Sequence, residues 1–171
     1  MSTRRLTQLS LFAALIFIAV KFLGIHVGVQ FVHLGNALIV IAVLLFGFWE
    51  GFLAGAVGLA LSDIIGGYAA TFWIYTIEAL IMCAVVYGLA HFVYKDQMTK
   101  GNLLVVALGA AVIKIVMNLL RYTIVGLVAS DLPLGPAFAL ASAKIIGTFG
   151  TSLATLIAVP LLYPIFKRLV K

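Results

Sequence analysis

Four basic residues, Lys21, Lys114, Arg121 and Lys144, stand within or at the edge of long apolar runs. A charge at membrane depth costs about 2.5–3.5 kcal/mol on insertion scales, so each needs a partner or a wet cavity. Lys114, Asn118 and Arg121 are spaced i, i+4, i+7, which gathers an ammonium, an amide and a guanidinium on one helix face. Lys144, Thr148, Thr151 and Thr155 repeat that spacing in the last apolar run. Two facing donor stripes on otherwise apolar helices predict a polar chamber for a small polar or anionic molecule. Two acids, Asp63 and Glu78, are also embedded in apolar sequence. They either pair with Lys114 and Arg121 as structural ion pairs, or serve separately, Asp63 anchoring the following loop and Glu78 touching a ligand. Trp73 and Tyr75 fit an interfacial aromatic belt as well as a stacking platform for a ring. His33 and Asn36, at the start of the second apolar run, complete the candidate binding set.

Other chemistry is excluded by what the chain lacks. It has no Gly-x-x-x-x-Gly-Lys-Ser/Thr loop, no His-Glu-x-x-His and no Gly-x-Ser-x-Gly, so neither ATP binding of the P-loop kind nor the common hydrolase arrangements are written in it. His26 and His33 are seven apart with no acid beside them, a loop or hydrogen-bonding pair rather than a metal site. The single cysteine, Cys83, lies in an apolar stretch and builds neither a disulfide framework nor a metal cluster. No cofactor and no metal are expected, and the protein is not expected to be an enzyme. The net charge of +6 is spread without a long basic run, so a nucleic-acid surface is not expected.

The elements that must position these residues follow from composition. Of 171 residues, 65% are hydrophobic and only 9% charged, against about 25% charged in soluble domains. A soluble globule of this size could not hide so much apolar surface. The apolar runs are apolar on every side, which favours helices over a barrel. At about 20 residues per crossing the chain accommodates six helices: about 6–23, 35–46, 51–65, 72–94, 102–128 and 137–162. The first run is read as a retained helix rather than a cleaved signal peptide, since no convincing Ala-x-Ala site precedes Lys21. The expected fold is therefore all-α, one domain over residues 1–171, a compact bundle of six transmembrane helices. The stretch 24–34, the Gly66-Gly67 loop and the Ser130–Pro136 breaker connect helices on one side. Arg4, Arg5, Lys95, Lys100, Lys167, Arg168 and Lys171 gather on the other, so both termini are expected in the cytoplasm.

Small residues form a second pattern. Gly47, Gly51 and Gly55 recur every fourth position, as do Ala54, Gly58 and Ser62, and Gly150, Ala154 and Ala158. Such faces let helices approach closely in lipid. The equivalent stripe on the first helix, Thr7, Ser10 and Ala14, is available for another membrane subunit.

Three stretches, Val32-His33-Leu34-Gly35-Asn36-Ala37, Phe46-Gly47-Phe48-Trp49-Glu50-Gly51 and Gly55 through Tyr68, continuing through Thr76-Ile77-Glu78-Ala79-Leu80, resemble the substrate-binding S components of energy-coupling factor (ECF) transporters. The resemblance implies a subunit of the prokaryotic cell membrane that captures a water-soluble vitamin from outside, under the loops after helices one, three and five. It also implies partners, a transmembrane coupling subunit and two cytoplasmic ATPases, that supply the ATP hydrolysis. Family members carry an Ala-x-x-x-Ala docking motif on the first helix, and Ser10, Ala13 and Ala14 are the nearest equivalent here. The sub-group resembled is the one linked to pantothenate, hydroxymethylpyrimidine or pyridoxine, with Arg121 and Lys144 suited to the carboxylate of pantothenate. The alternative is a self-sufficient proton-coupled secondary transporter of a small metabolite, with Asp63 or Glu78 as the proton site.

Overall fold

The computed structural model describes residues 1–27 and 30–170. Helix α1, Thr3–Lys21, starts at Ser2, whose hydroxyl accepts from the Arg5 amide. A short antiparallel hairpin follows, β1 Ile25–Val27 and β2 Gln30–Val32, with His26 opposite Phe31. Then come α2 Gly35–Phe46, α3 Phe48–Ile65, and α4 Phe72–Gly88, which continues as a π-helical turn over Leu89–Val93. Helices α5 Lys100–Ala129, α6 Leu134–Lys144 and α7 Ile146–Val170 complete the chain.

Among the described residues there are thus seven helices, of which five are long and apolar enough to cross a membrane. The sixth expected crossing, α2, has 12 residues and spans only about 18 Å. It still returns the chain from the β2 end of the bundle to the end shared by both termini, and it does so as the core: Ile39, Val40 and Ile41 are completely buried. The last expected helix, 137–162, is two helices separated at Ile145, and α7 runs on through Pro160 and Pro164 to Val170. The stretch 24–34, expected as an irregular loop, carries the hairpin; its Gly28 and Val29 lie outside the described residues, as does Lys171 of the basic set.

The break at Ile145 has a tertiary cause. The hairpin lies against the first turns of α7, so closely that a Cβ on Gly147 would come within 2.6 Å of the Gln30 Cβ, and one on Gly150 within 2.5 Å of Val32 Cγ2. The glycine of the Gly150 stripe thus admits a strand, not another helix. The other small-residue faces do join helices. A Cβ on Gly51 would meet the Val43 backbone at 2.5 Å, and one on Gly58 the Ala13 carbonyl at 2.7 Å. The turn between α2 and α3 is a single residue, Gly47, whose φ of 88° favours glycine.

Exposure is inverted relative to a soluble protein. Along α5, Leu104, Leu108, Val112, Val116, Leu120, Ile124 and Val128 are exposed at four-residue intervals, while Lys114, Asn118 and Arg121 turn inward. The two ends of the bundle also differ. Gln8 Nε2 donates to the Val170 carbonyl (3.0 Å), and Arg5 pairs with Glu50 and donates to the Phe46 carbonyl (2.9 Å), so both termini and the α2–α3 turn share one end. The hairpin and the Gly66–Thr71 turn stand at the other end.

Candidate functional site

A cavity of about 310 Å³ opens at the hairpin end, within the size range of small-molecule sites, about 300–1,000 Å³. Each wall comes from a different element. The hairpin and the start of α2 bring Gln30, Phe31, His33 and Asn36; the end of α3 brings Ser62 and Asp63; α4 brings Tyr75 and Glu78. From α5 come Lys114, Asn118, Arg121 and Tyr122, and from α7 Thr148 and Thr151.

The electrostatic centre is Glu78, 3% exposed. Its Oε2 lies 2.6 Å from Lys114 Nζ, and its Oε1 is 3.4 Å from Arg121 Nε. One carboxylate therefore meets both cations, and Asp63 forms no ion pair among the described residues. Arg121 sits between two rings, its guanidinium carbon 4.5 Å from the centre of Tyr75 and 4.7 Å from that of Tyr122. An ion pair at this depth costs desolvation on both sides, and the aromatic faces and neighbouring amides offset part of it.

A hydrogen-bonded relay joins three elements around this centre. Arg121 donates to Asn118 Oδ1 (3.0 Å), Asn118 Nδ2 to the Thr148 hydroxyl (2.6 Å), and that hydroxyl to Gln30 Oε1 (3.0 Å). Gln30 Oε1 also accepts the Thr148 amide at 2.8 Å, while Gln30 Nε2 reaches the Tyr122 hydroxyl at 3.5 Å. The first turn of any helix has amides without intrahelical partners. Here the Thr148 amide is shared between the Ile145 carbonyl (2.9 Å) and a side chain more than 100 residues away in sequence, which ties the hairpin to the first turn of α7.

His33 is held as a neutral ring. Its Nδ1 accepts from the Gly35 amide (3.1 Å) and its own amide donates to the Thr151 hydroxyl (3.4 Å). Burial, reinforced by the nearby Lys114 charge, pushes its pKa down to about 4.

Of the residues singled out from sequence, the structure brings Arg121, Asn118, Glu78, Tyr75, Asn36 and His33 to this cavity, together with Lys21, Asp63, Lys114, Thr148 and Thr151. Trp73 and Lys144 are not among its lining residues. Trp73 is exposed and its indole N–H donates to the Ala70 carbonyl at 3.0 Å. Lys144 ends α6, beyond the break from α7, with its ammonium 5.8 Å from the Tyr122 ring centre. The break dissolves the expected continuous stripe, leaving the threonines on α7 and the lysine on a separate helix. Asp63 anchors the following loop through its backbone only. Its backbone carbonyl receives the Tyr68 amide (2.8 Å), but its side chain bonds nothing in the Gly66–Thr71 turn. On α1, Ser10 and Ala14 are exposed while Ala13 is buried against Gly58.

Sequence reasoning missed Gln30, Phe31, Tyr68 and Tyr122 as cavity residues. Only Tyr122, adjacent to Arg121, carried a signal. Gln30 is an amide in a loop-like stretch, and nothing local marks it as the cap of a distant helix.

A bundle of apolar-faced helices with a polar cavity opening at one end defines a multi-pass membrane protein built to hold a small polar ligand. A family model described as ECF-type riboflavin transporter, S component, matches residues 1–169, and the chain belongs to that family. It is thus a substrate-binding component of a vitamin transporter of the prokaryotic plasma membrane, not an enzyme, working with an ECF module. No curated protein and no solved structure matches the chain.

Proposed function

We propose that this protein captures riboflavin, or a flavin closely similar to it, in the cavity at the hairpin end. The observation that carries the reading is the charge arrangement: Glu78 engages both Lys114 and Arg121, so that beside Asp63 and Lys21 the walls are amides, hydroxyls and aromatic rings. A neutral planar ring with a hydroxylated side chain suits those walls, the ring against Phe31, Tyr68, Tyr75 or Tyr122, the hydroxyls against Asn36, Asn118, Thr148 and Gln30. The description of the matching family supports the same vitamin. Pantothenate drew its support from Arg121 and Lys144 acting together on a carboxylate, and Lys144 stands off the cavity while Arg121 is already paired. Hydroxymethylpyrimidine and pyridoxine share the ring-and-hydroxyl chemistry and are the comparators. Calorimetry on the detergent-purified protein tests the reading. Riboflavin is expected to bind far more tightly than pantothenate, hydroxymethylpyrimidine or pyridoxine, and tighter binding of pantothenate overturns it.

Both termini lie in the cytoplasm in this reading, because the end that carries them holds Arg4, Arg5, Lys95, Lys100, Lys167 and Arg168. The cavity then faces outward. The exposed Ser10 and Ala14 on α1 offer a shallow, small-residue face to the transmembrane coupling subunit, whose two ATPases supply the energy. Ala13, turned into α3, supports that helix contact and does not reach the partner. A self-driven proton-coupled carrier is the rival; accumulation of riboflavin by proteoliposomes containing this chain alone under a pH gradient would favour it.

A further inference from the structure

Among the described residues, three buried side-chain atoms have no hydrogen-bond partner: Asp63 Oδ2, Glu78 Oε1 and Arg121 Nε. All three belong to residues that line the cavity. Two of them, Glu78 Oε1 and Arg121 Nε, lie 3.4 Å apart and share an ion pair. Asp63 Oδ2 has no such compensation. Lys114 and Arg121 are both spent on Glu78, and Asp63 is absent from the ion pairs and side-chain hydrogen bonds among the described residues. A buried acceptor left unpaired costs about 1–3 kcal/mol, more when charged. The backbone that carries the carboxylate is fixed in place. Asp63 stands in the last turn of α3, where Ser62 and Asp63 carbonyls take the Gly66 and Tyr68 amides at 2.8 Å, so the backbone there is locked by the following turn. A carboxylate on a fixed backbone in the cavity wall, with one oxygen left without a partner, is an acceptor waiting for a donor.

We propose that the Asp63 carboxylate accepts a hydrogen bond from an N–H or O–H group of the bound vitamin, and that Asp63 thereby selects for ligands carrying a donor at that end of the cavity. This rests on the flavin reading above. A flavin offers two kinds of donor, the imide N–H of the ring and the hydroxyls of the ribityl chain. A site that holds a buried acceptor rejects an analogue lacking the donor strongly, since the acceptor is then left unpaired. The carbonyls flanking an imide N–H would also suit a neighbouring donor such as Arg121 Nε.

The test combines riboflavin, 3-methylriboflavin (imide N–H blocked) and lumiflavin (ribityl chain replaced by methyl) with the wild type and Asp63→Asn, affinities being read by quenching of flavin fluorescence. Asp63→Asn is expected to weaken riboflavin by about 5- to 10-fold, the difference between a hydrogen bond to a charged and to a neutral acceptor. In the wild type one analogue is expected to bind weakly, and for that analogue alone Asp63→Asn should cause little further loss. Non-additivity with 3-methylriboflavin assigns the imide N–H, and non-additivity with lumiflavin assigns a ribityl hydroxyl. Equal losses on all three flavins, or riboflavin affinity within about threefold of wild type, overturn the proposal and leave the flavin reading standing. If the variant fails to fold, the ligand arm still decides: a wild type that binds both analogues as tightly as riboflavin senses no donor, and the proposal falls. A wild type that binds none of the three removes the flavin reading and the proposal with it.

Discussion

Replacing Glu78 by Gln preserves the size of the side chain and removes its charge, leaving Lys114 and Arg121 as two cations in a low-dielectric site. Breaking a buried ion pair by neutralising one partner costs about 3–5 kcal/mol. The lower end applies here, because Lys114 and Arg121 keep 18% and 14% of their side-chain surface and can turn toward cavity water. For a chain of this size 1 kcal/mol moves the unfolding midpoint by about 2–4 °C, so Glu78→Gln is expected to lower Tm by about 6–12 °C. Cys83, the single cysteine and completely buried, makes the measurement direct: a thiol-reactive fluorogenic dye labels it only as the bundle opens. The double variant Glu78→Gln with Lys114→Met removes one of the stranded cations and is expected to recover about half of the loss, the signature of a coupled pair. A Tm within about 2 °C of wild type, or a double variant no better than Glu78→Gln alone, would refute the view that this carboxylate neutralises both cations.

Arg121→Leu is expected to abolish flavin binding, whereas Lys144→Met, off the cavity, should leave affinity within about threefold; calorimetry on the two variants separates a cavity cation from a peripheral one. Gly147→Ala puts a methyl 2.6 Å from the Gln30 Cβ and must push the hairpin away, at a cost of about 1–3 kcal/mol; faster ligand release in stopped-flow fluorescence is the expected readout, with Gly101→Ala, which meets nothing within 4 Å, as the silent control. The His33 pKa of about 4 lies below the ordinary 6.5, so the unfolded chain takes up the proton first. The contribution of His33 to stability is therefore full above about pH 7 and declines as pH falls from 6.5 toward 4. Nitrogen NMR of labelled histidines should show its Nδ1 unprotonated at pH 5.5, and a charged ring there would contradict the Gly35 hydrogen bond.

The membrane character was legible without coordinates, because a 65% hydrophobic chain has one solvent in which it can fold. The helix positions were mostly legible too. Helix α2 matched its expected span at Gly35–Phe46, since a glycine at each end bounds an uninterrupted apolar run. Lys114, Asn118 and Arg121 shared a face as their spacing required, because helical periodicity is a local property that the sequence carries directly. The pairing of charges was legible only as a choice: sequence offered Asp63 and Glu78 to Lys114 and Arg121, and helix packing gave both cations to Glu78.

The hairpin, the break at Ile145 and the separation of Lys144 from Thr148 were not legible, for one physical reason. Each depends on Gln30 and Val32 meeting Gly147 and Gly150, more than 110 residues apart, and no local propensity encodes a contact between segments that are brought together only by the finished bundle. Residue type and spacing alone determined that this chain spans a membrane and presents polar side chains to its interior. Tertiary structure decided which of those side chains face one another, and hence where the cavity is, which charges are spent and which carboxylate is left unpaired.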